Sequence, residues 1–495
     1  MSQTMIINAI HPEEFRVALM EGQTLEGFFI ETATRGKVVG NIYKGIVTHV
    51  QPSLQAAFVN YGMERNGFLP FPEIHPEYYE EDSDERVRIQ DVIHSGQEVL
   101  VQVVKEELGS KGALLTTYIS LAGRDVVLMP GQNQRGVSRK IEDGGQRERL
   151  KELAGDLKVP EEFGVILRTA AEGRTKREVT KDFNHLMKIW EEIKKHVQET
   201  PAPTLIYREQ DLAVRVIRDY FNPNVKTILV DDREVLKQVK DFIRIISPRH
   251  DRVVRFHKED GPITGKYNLE EQIAQIFRKK VPLKSGGHLV IDPTEALVAV
   301  DVNSGRTNSG EGALEEMVFK VNMEAAAEIP RQLRLRDLGG LVVIDFIDMR
   351  DNRHTREVER RLKEEIKKDK AKITVGRISR FGLLELSRQH LGLNIMRGSY
   401  KECPLCQGAG MVRSAETTAL CYLRKIWLTL SQKNPASVRA TFAPEVAHYL
   451  LNRKRQELTR LEERYGTNIQ IESLATMLPH DGHVEFTARE TQEKP

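Results

Sequence analysis

Two short apolar runs, each closed by an aspartate, constrain the fold of this chain more than any other feature. Leu297-Val298-Ala299-Val300 ends at Asp301, and Leu341-Val342-Val343-Ile344 ends at Asp345. Short runs rich in β-branched residues read as buried strands. Between them, GALEEMVFKVNMEAAAEIPRQLR carries helical periodicity, and alternation of strand and helix predicts a parallel-type sheet. In open α/β sheets ligands bind beyond the carboxyl ends of the strands, so the two acids are placed to converge on one crevice. Asn303, two residues after Asp301, projects to the same side. Two carboxylates and an amide suit Mg²⁺, which keeps several waters and is held by one or two carboxylates together with substrate phosphates. The chemistry such a set supports is metal-assisted phosphodiester hydrolysis. On spacing alone, the plainer role of strand-end turn or helix cap stays open for both acids. Asp348, three after Asp345, reads as the cap of the helix that follows, with a further metal ligand as the alternative.

The rest of the chain divides around this block. Residues 1–35 read as a small antiparallel meander and 203–280 as alternating helices and strands, together one α/β domain in two segments. It is interrupted by 36–124, whose short strands suggest a small barrel, and by 125–202, which mixes strands with a long helical run. Residues 281–400 form the second α/β block, with a helix expected from Leu383. Residues 401–415 hold a cysteine pair. The tail 416–495 looks like a small α+β unit with one long helix, VAHYLLNRKRQELTRLEERYG, and there are no internal repeats. A length of 495 residues, 40% apolar and 29% charged, fits a globular chain of several domains. No apolar run approaches the ~18 residues of a membrane helix, and the first residues lack the basic start and apolar stretch of a signal peptide. A cytoplasmic location is therefore expected. Lys and Arg number 74 and Asp and Glu 72, a formal net charge of +2, so any nucleic-acid surface must be a local patch.

Cys403-Pro-Leu-Cys406, followed by Gln-Gly-Ala-Gly410, has the spacing of a zinc knuckle. A closed structural zinc site takes four ligands and the chain has no second such pair, so a second copy of the chain is the economical completion, giving a Zn²⁺ shared between subunits. A redox disulfide and an unmetallated turn are the alternatives. In the barrel, Phe58 and Phe68 lie in adjacent strands, with Lys105 and Lys111 near a later one. Small barrels of this kind bind single-stranded nucleic acid through aromatics on a strand face flanked by basic residues, although core packing is the commoner fate of a strand phenylalanine.

These segments together resemble the ribonuclease E/G family of endoribonucleases. The resemblance is carried by GNIYKG, PSLQAAFVNYG, NGFLP, VVLMP, ILRTA, KSGGHLVIDPTEALVAVDVNSG, RQLRLRDLGGLVVIDFIDM, ISRFGLLELSRQ and CPLCQGAG, spread over residues 1 to about 415. It implies a multidomain α/β fold: an RNase H-like domain with an inserted S1 (OB-type) barrel and a 5′ sensor, then a DNase I-like catalytic domain, a zinc link and a small oligomerisation domain. It further implies a Mg²⁺-dependent endoribonuclease acting on single-stranded RNA in rRNA maturation and mRNA turnover, as a homodimer or homotetramer. By position, Asp301 and Asp345 resemble the Mg²⁺ ligands and Asn303 the neighbour that orients Asp301. Phe58, Phe68 and Lys111 resemble RNA contacts, and Arg168 and Thr169 the pocket for a 5′-monophosphate, with Val127 beneath the terminal base. Lys372 falls where the longer branch of the family carries an arginine, and a lysine supplies charge without a bidentate fork. The chain's length favours the shorter branch. A non-catalytic RNA-binding scaffold built on the barrel is the competing expectation, and paired acids at strand ends argue against it.

Overall fold

The computed structural model describes residues 2–32, 38–79, 88–106, 112–141, 143–305, 311–390, 395 and 403–489. The chain divides into two units, 1–398 and 399–495. In the first unit, strands Gln3–Asn8, Glu14–Glu21 and Thr24–Thr32 form an antiparallel meander. Val225–Val230 and Val254–Phe256, more than 190 residues later, add to it in parallel, giving one five-stranded sheet. Helix Arg233–Ile246 packs Val239, Phe242 and Ile243 on this sheet, and its first turn is capped by Asp232, which accepts from the Glu234 and Val235 amides.

Between those two segments sits a barrel of strands Ile42–Gln51, Ala56–Asn60, Gly67–Pro70, Leu114–Thr116 and Glu98–Lys105, closed by pairing of the last with the first. Its alternate residues face inward, among them Ala57, Val59 and Leu69. Closure at this size leaves little room. A side chain at Gly67 would begin 2.4 Å from a Leu115 methyl carbon, which is why the strand carries glycine there. The following region is a four-stranded sheet, Arg135–Val137, Phe163–Leu167, Val126–Pro130 and Leu121–Ala122. Helix Lys176–Glu199 covers it, its start fixed by a reciprocal Thr175 and Glu178 capping box.

The last sheet of this unit runs Lys280–Pro282, His288–Pro293, Leu297–Asn303, Gly340–Asp345, Leu383–Arg388, Ile373–Val375. Only Leu297–Asn303 and Gly340–Asp345 are parallel; the other neighbours are antiparallel. The sheet is thus mixed rather than parallel, because only the helix Glu311–Arg336 acts as a crossover and the remaining connections are hairpins or return at the edge. The helix expected from Leu383 is a strand. Its residues alternate exposed and buried, with Leu384, Leu386 and Arg388 inward, a period of two that the apolar pair Leu383-Leu384 obscures.

The second unit has helix Ala415–Lys433, then a three-stranded sheet with Ser437–Phe442 in the middle, parallel to Asn468–Ser473 and antiparallel to Gly482–Thr487. The single long helix expected here is two, Pro444–Arg453 and Arg455–Tyr465, separated at Lys454, whose backbone leaves helical geometry. Among the described residues no helix is long and apolar enough to cross a membrane.

Candidate active site and nucleic-acid interface

Asp301 and Asp345 are register partners on the two parallel strands, both at their carboxyl ends and both exposed. Val300 and Ile344, the preceding residues, are buried beneath them, so each strand roots its acid in the core. Asn303 donates from Nδ2 to Asp301 Oδ2 at 2.6 Å and so fixes one carboxylate rotamer. The pairing brings like charges together. Partial burial, then the neighbouring charges of Asp301 and Asp348, push the Asp345 carboxyl above its ordinary range.

Asp348 is not the helix cap. Helix Asn352–Ile366 is capped by Asp351, which accepts from the Arg353 amide at 2.7 Å; Asp348 lies too early to reach that first turn. It stands instead beside the acid pair. Gly382 has φ +77°, and a Cβ there would sit 3.1 Å from Asp348 Oδ1, 3.2 Å from the Phe346 carbonyl and 3.9 Å from Asp345 Oδ1. A glycine therefore backs the acidic loop closely. The loop is also clamped from helix Glu311–Arg336. Asn322, fully buried, donates to the Ile347 carbonyl at 2.8 Å and accepts from its amide at 3.2 Å, and Glu315 accepts from the Arg350 and Asp351 amides. Among the described residues no set of three or more His, Cys, Asp or Glu is arranged around one metal position. The donor set fits Mg²⁺ on its chemistry: two hard oxygen donors, exposed, with like-charge crowding that a cation would relieve.

On the barrel, register aligns one residue from each of the five strands: His49, Phe58, Phe68, Leu114 and Lys105 are successive partners. Phe58 and Phe68 are half-buried and outside the barrel core, whose inward positions belong to their neighbours Ala57, Val59 and Leu69. Their rings meet edge to face with centroids 5.9 Å apart, and the His49 ring stacks on Phe58 at 6.4 Å. Lys105 is exposed at the end of the row. Lys111 lies outside the described residues. An apolar, aromatic track ending in a cation is suited to stacking bases while holding the backbone. His49 was not legible as part of it, since only the register brings it into line.

Arg168 follows strand Phe163–Leu167 and is held at both terminal nitrogens: Nη1 donates to the Gly123 carbonyl at 2.6 Å and Nη2 to Asp219 Oδ1 at 2.7 Å. Thr169, exposed, opens the short 3₁₀ turn that follows, and Val127, half-buried, pairs with Ala122 and Ile166 in the adjoining strand. Lys372 is exposed, its carbonyl accepting from the Gln389 amide. Two residues earlier, Lys370 places its ammonium 3.9 Å from the centre of the Tyr220 ring. Burial pushes Lys370 down to about 8; Asp219 opposes that shift, while the charges of Arg168, Arg124 and Lys140 add to it. The Lys140 ammonium donates to the Lys370 carbonyl. Lys140, Lys370 and Asp219 carry no local signal in the sequence, because three separate elements bring them to Arg168.

In the second unit, Cys403 is exposed and Cys406 half-exposed, in a turn closed by the Gln407 amide on the Cys403 carbonyl and the Ala409 amide on the Cys406 carbonyl, both at 2.8 Å. Hydrogen bonds from the Cys406 and then the Leu405 backbone hold the Cys403 thiol below its ordinary range. Amides aimed at sulfur favour a thiolate, so the turn fits one half of a four-thiolate zinc site.

A closed S1-type barrel joined to an α/β sheet with paired acids at its strand ends defines a multidomain protein of the nucleic-acid-processing class. Residues 38–117 match the S1 RNA binding domain, 120–391 the Ribonuclease E/G family, and 402–487 the RNase E/G thioredoxin-like domain. The chain belongs to the ribonuclease E/G family. It is 46% identical to Ribonuclease E of Haemophilus influenzae over 468 residues, 94% of this chain and 50% of that protein. It is 46% identical to Ribonuclease E of Escherichia coli K12 over 464 residues, 93% of this chain and 44% of the relative. With Ribonuclease G of Escherichia coli K12 it shares 36% identity over 477 residues, 95% and 97% of the two chains. This chain thus spans about half the length of the ribonuclease E relatives it matches. Identity is higher with ribonuclease E and shared length with ribonuclease G.

Proposed function

We propose that this chain is a Mg²⁺-dependent endoribonuclease that cleaves single-stranded RNA to 5′-phosphate and 3′-hydroxyl ends, is stimulated by a 5′-monophosphate, and acts in the cytoplasm in rRNA maturation and mRNA turnover. The observation that carries the reading is the registered pair Asp301 and Asp345 at adjacent parallel strand ends, with Asn303 locking one of them. Bound there, Mg²⁺ would lower the pKa of its water and offset charge on the scissile phosphate. Asp301 and Asp345 would hold the ion, and Asn303 orients the first of them. Phe58 and Phe68 stack bases, with Lys105 and Lys111 on the backbone, and Arg168 with Thr169 receives the 5′ phosphate above Val127, Lys372 adding charge nearby. Within this reading the domain with residues 225–256 is RNase H-like, the acid-bearing sheet DNase I-like, and Cys403 with Cys406 shares Zn²⁺ with a second copy in a homodimer or homotetramer.

Single-turnover cleavage of a 3′-labelled oligonucleotide, with Mg²⁺ and with EDTA, tests the activity. Cleavage lost with EDTA and restored by Mg²⁺ is expected. Intact RNA binding with no cleavage in Mg²⁺ would make the chain a scaffold. Zinc content and sizing-column elution of Cys403→Ser test the link: wild type should carry up to one Zn²⁺ per two chains, and the variant should lose it and elute smaller.

A further inference from the structure

We propose that Asp219 is an internal counter-anion for the phosphate pocket, occupying the Arg168 guanidinium in the free protein and yielding it to a 5′-phosphate dianion. The proposal rests on the reading of Arg168 as a 5′-end contact and deepens it, by naming the residue that decides which anions the pocket accepts.

The contact itself is the starting point. The Asp219 carboxylate lies 2.7 Å from Arg168 Nη2, the mode in which guanidinium binds phosphate. Both side chains remain about a quarter exposed, 28% for Arg168 and 26% for Asp219, so an incoming anion can reach them. Burial works against the Asp219 charge, but the Arg218 and Arg168 guanidiniums together hold it below the usual carboxylate range, so it is ionised at neutral pH. Its second partner does not depend on it: Arg218, 3.2 Å away through Nε, also pairs with Glu209 at 2.7 Å. Among the charges acting on Lys370 and Lys140, the two lysines themselves with Arg168, Arg124 and Arg388 face two carboxylates, Asp219 and Asp369. The pocket keeps an excess of positive charge even with Asp219 in place.

That imbalance explains selectivity. A terminal phosphate monoester carries close to two charges at neutral pH, and an internal phosphodiester one. A dianion exchanged for the tethered carboxylate gains one unit of attraction in a partly dehydrated site. A monoanionic diester gains none and must still displace a carboxylate whose effective concentration is set by the fold. Asp219 thus excludes the RNA backbone and admits the 5′-monophosphate end.

The test is equilibrium binding to the full chain in EDTA, where no cleavage occurs. Two 3′-fluorescent oligonucleotides, differing only in a 5′-monophosphate or a 5′-hydroxyl, report by anisotropy. Asp219→Asn preserves an acceptor oxygen for Arg168 and leaves Arg218 paired with Glu209; Asp219→Ser removes the charge with a smaller side chain. Removal of a single charge at this range should in each variant raise affinity for both RNAs, by at least ~5-fold for the hydroxyl RNA, whose internal phosphates the pocket then admits, so that the monophosphate's lead does not grow. Arg168→Ala should erase the lead. If wild type prefers the monophosphate, Arg168→Ala abolishes the preference, and both Asp219 variants leave the hydroxyl RNA's affinity unchanged or widen the lead, the counter-anion is wrong while the Arg168 reading stands. If wild type binds both oligonucleotides equally and Arg168→Ala changes neither, the reading falls and the proposal with it. If neither variant melts cooperatively, Asp219 is a structural support, and the proposal is overturned.

Discussion

At the ends of Leu297–Asn303 and Gly340–Asp345 carboxylates crowd against one another, whereas around Arg168 cations and a carboxylate interleave. Asp301, Asp345 and Asp348 repel, and the cost is visible in Asp345, whose carboxyl is pushed up first by burial and then by its two acidic neighbours. At Arg168 the opposite holds: Asp219 is kept ionised by two guanidiniums, and Arg168 has an acceptor at each terminal nitrogen. A guest cation bound at the acid pair would relieve that repulsion. The Arg168 site is satisfied without a guest, so binding there must be exchange. One site is poised by strain between like charges, the other by competition between unlike ones.

The largest effect should come from the first. Asp301→Asn or Asp345→Asn should lower the single-turnover cleavage rate at least ~10²-fold while RNA affinity moves little, if, as proposed, the acids hold the ion and the barrel holds the RNA. Cleavage near the wild-type rate at ordinary millimolar Mg²⁺ would take these residues out of the mechanism and dissolve the contrast. Asn322→Ala should also slow cleavage, less steeply, and raise the Mg²⁺ concentration giving half the maximal rate, since it frees Ile347 between Asp345 and Asp348. A drop in melting temperature with an unchanged Mg²⁺ dependence would confine Asn322 to packing.

The barrel belongs to neither charged type and sets the scale between them. Phe58→Ala and Phe68→Ala should each cost ~1 to 3 kcal/mol of RNA affinity, and affinity should fall with salt. Since both rings lie on the outer face, their loss should hardly change the melting temperature; early melting with normal binding would return them to a packing role.

How much of this was legible in the sequence follows from range. The placement of Asp301 and Asp345 at adjacent strand ends, with Asn303 beside the first, is legible because each strand announces itself locally and its end is the next residue. The cysteine turn is legible for the same reason, through the two-residue gap between Cys403 and Cys406. Leu383–Arg388 was misread because Leu383-Leu384 hides a period of two, and Asp348 because both its rival Asp351 and the glycine behind it, Gly382, matter only once the chain has turned back. The row from His49 to Lys105 needs the barrel register, and the Arg168 surroundings need Asp219 from one helix and Lys370 from a segment about 150 residues after Asp219. Local pattern finds acids on strands; it does not find counter-charges.

Arg168→Ala should narrow the advantage of 5′-monophosphorylated over 5′-hydroxyl RNA by ~10-fold, the worth of a charge-assisted hydrogen bond, by slowing only the former. Equal slowing on both would mean that the Arg168–Asp219 bridge merely braces the fold. Lys372→Ala, at an exposed position, should narrow it by no more than ~2-fold.

A smaller effect than that of Arg168→Ala is a pH dependence, and its sign separates the two sites. Lys370 is pushed down to about 8, chiefly by burial and then against the pull of Asp219 by the charges of Arg168, Arg124 and Lys140. Unfolded, a lysine titrates near ~10.4, so between about 8 and that value the folded chain holds fewer protons than the unfolded one, and this group makes stability rise with pH across that window. Phosphate binding runs the other way. A terminal phosphate is fully dianionic above pH ~7, its second pKa being near ~6, so from pH 7 to 9 the ligand's charge is constant while Lys370 loses its own. The monophosphate advantage should therefore decline a few-fold over that range. Lys370→Arg keeps its charge throughout and should flatten the decline. Measured as the ratio of the two oligonucleotides' affinities in EDTA, the change is insensitive to the acid pair. A ratio that stays level in wild type, or falls equally in Lys370→Arg, would remove Lys370 from the exchange and leave Arg168 and Asp219 to carry it alone.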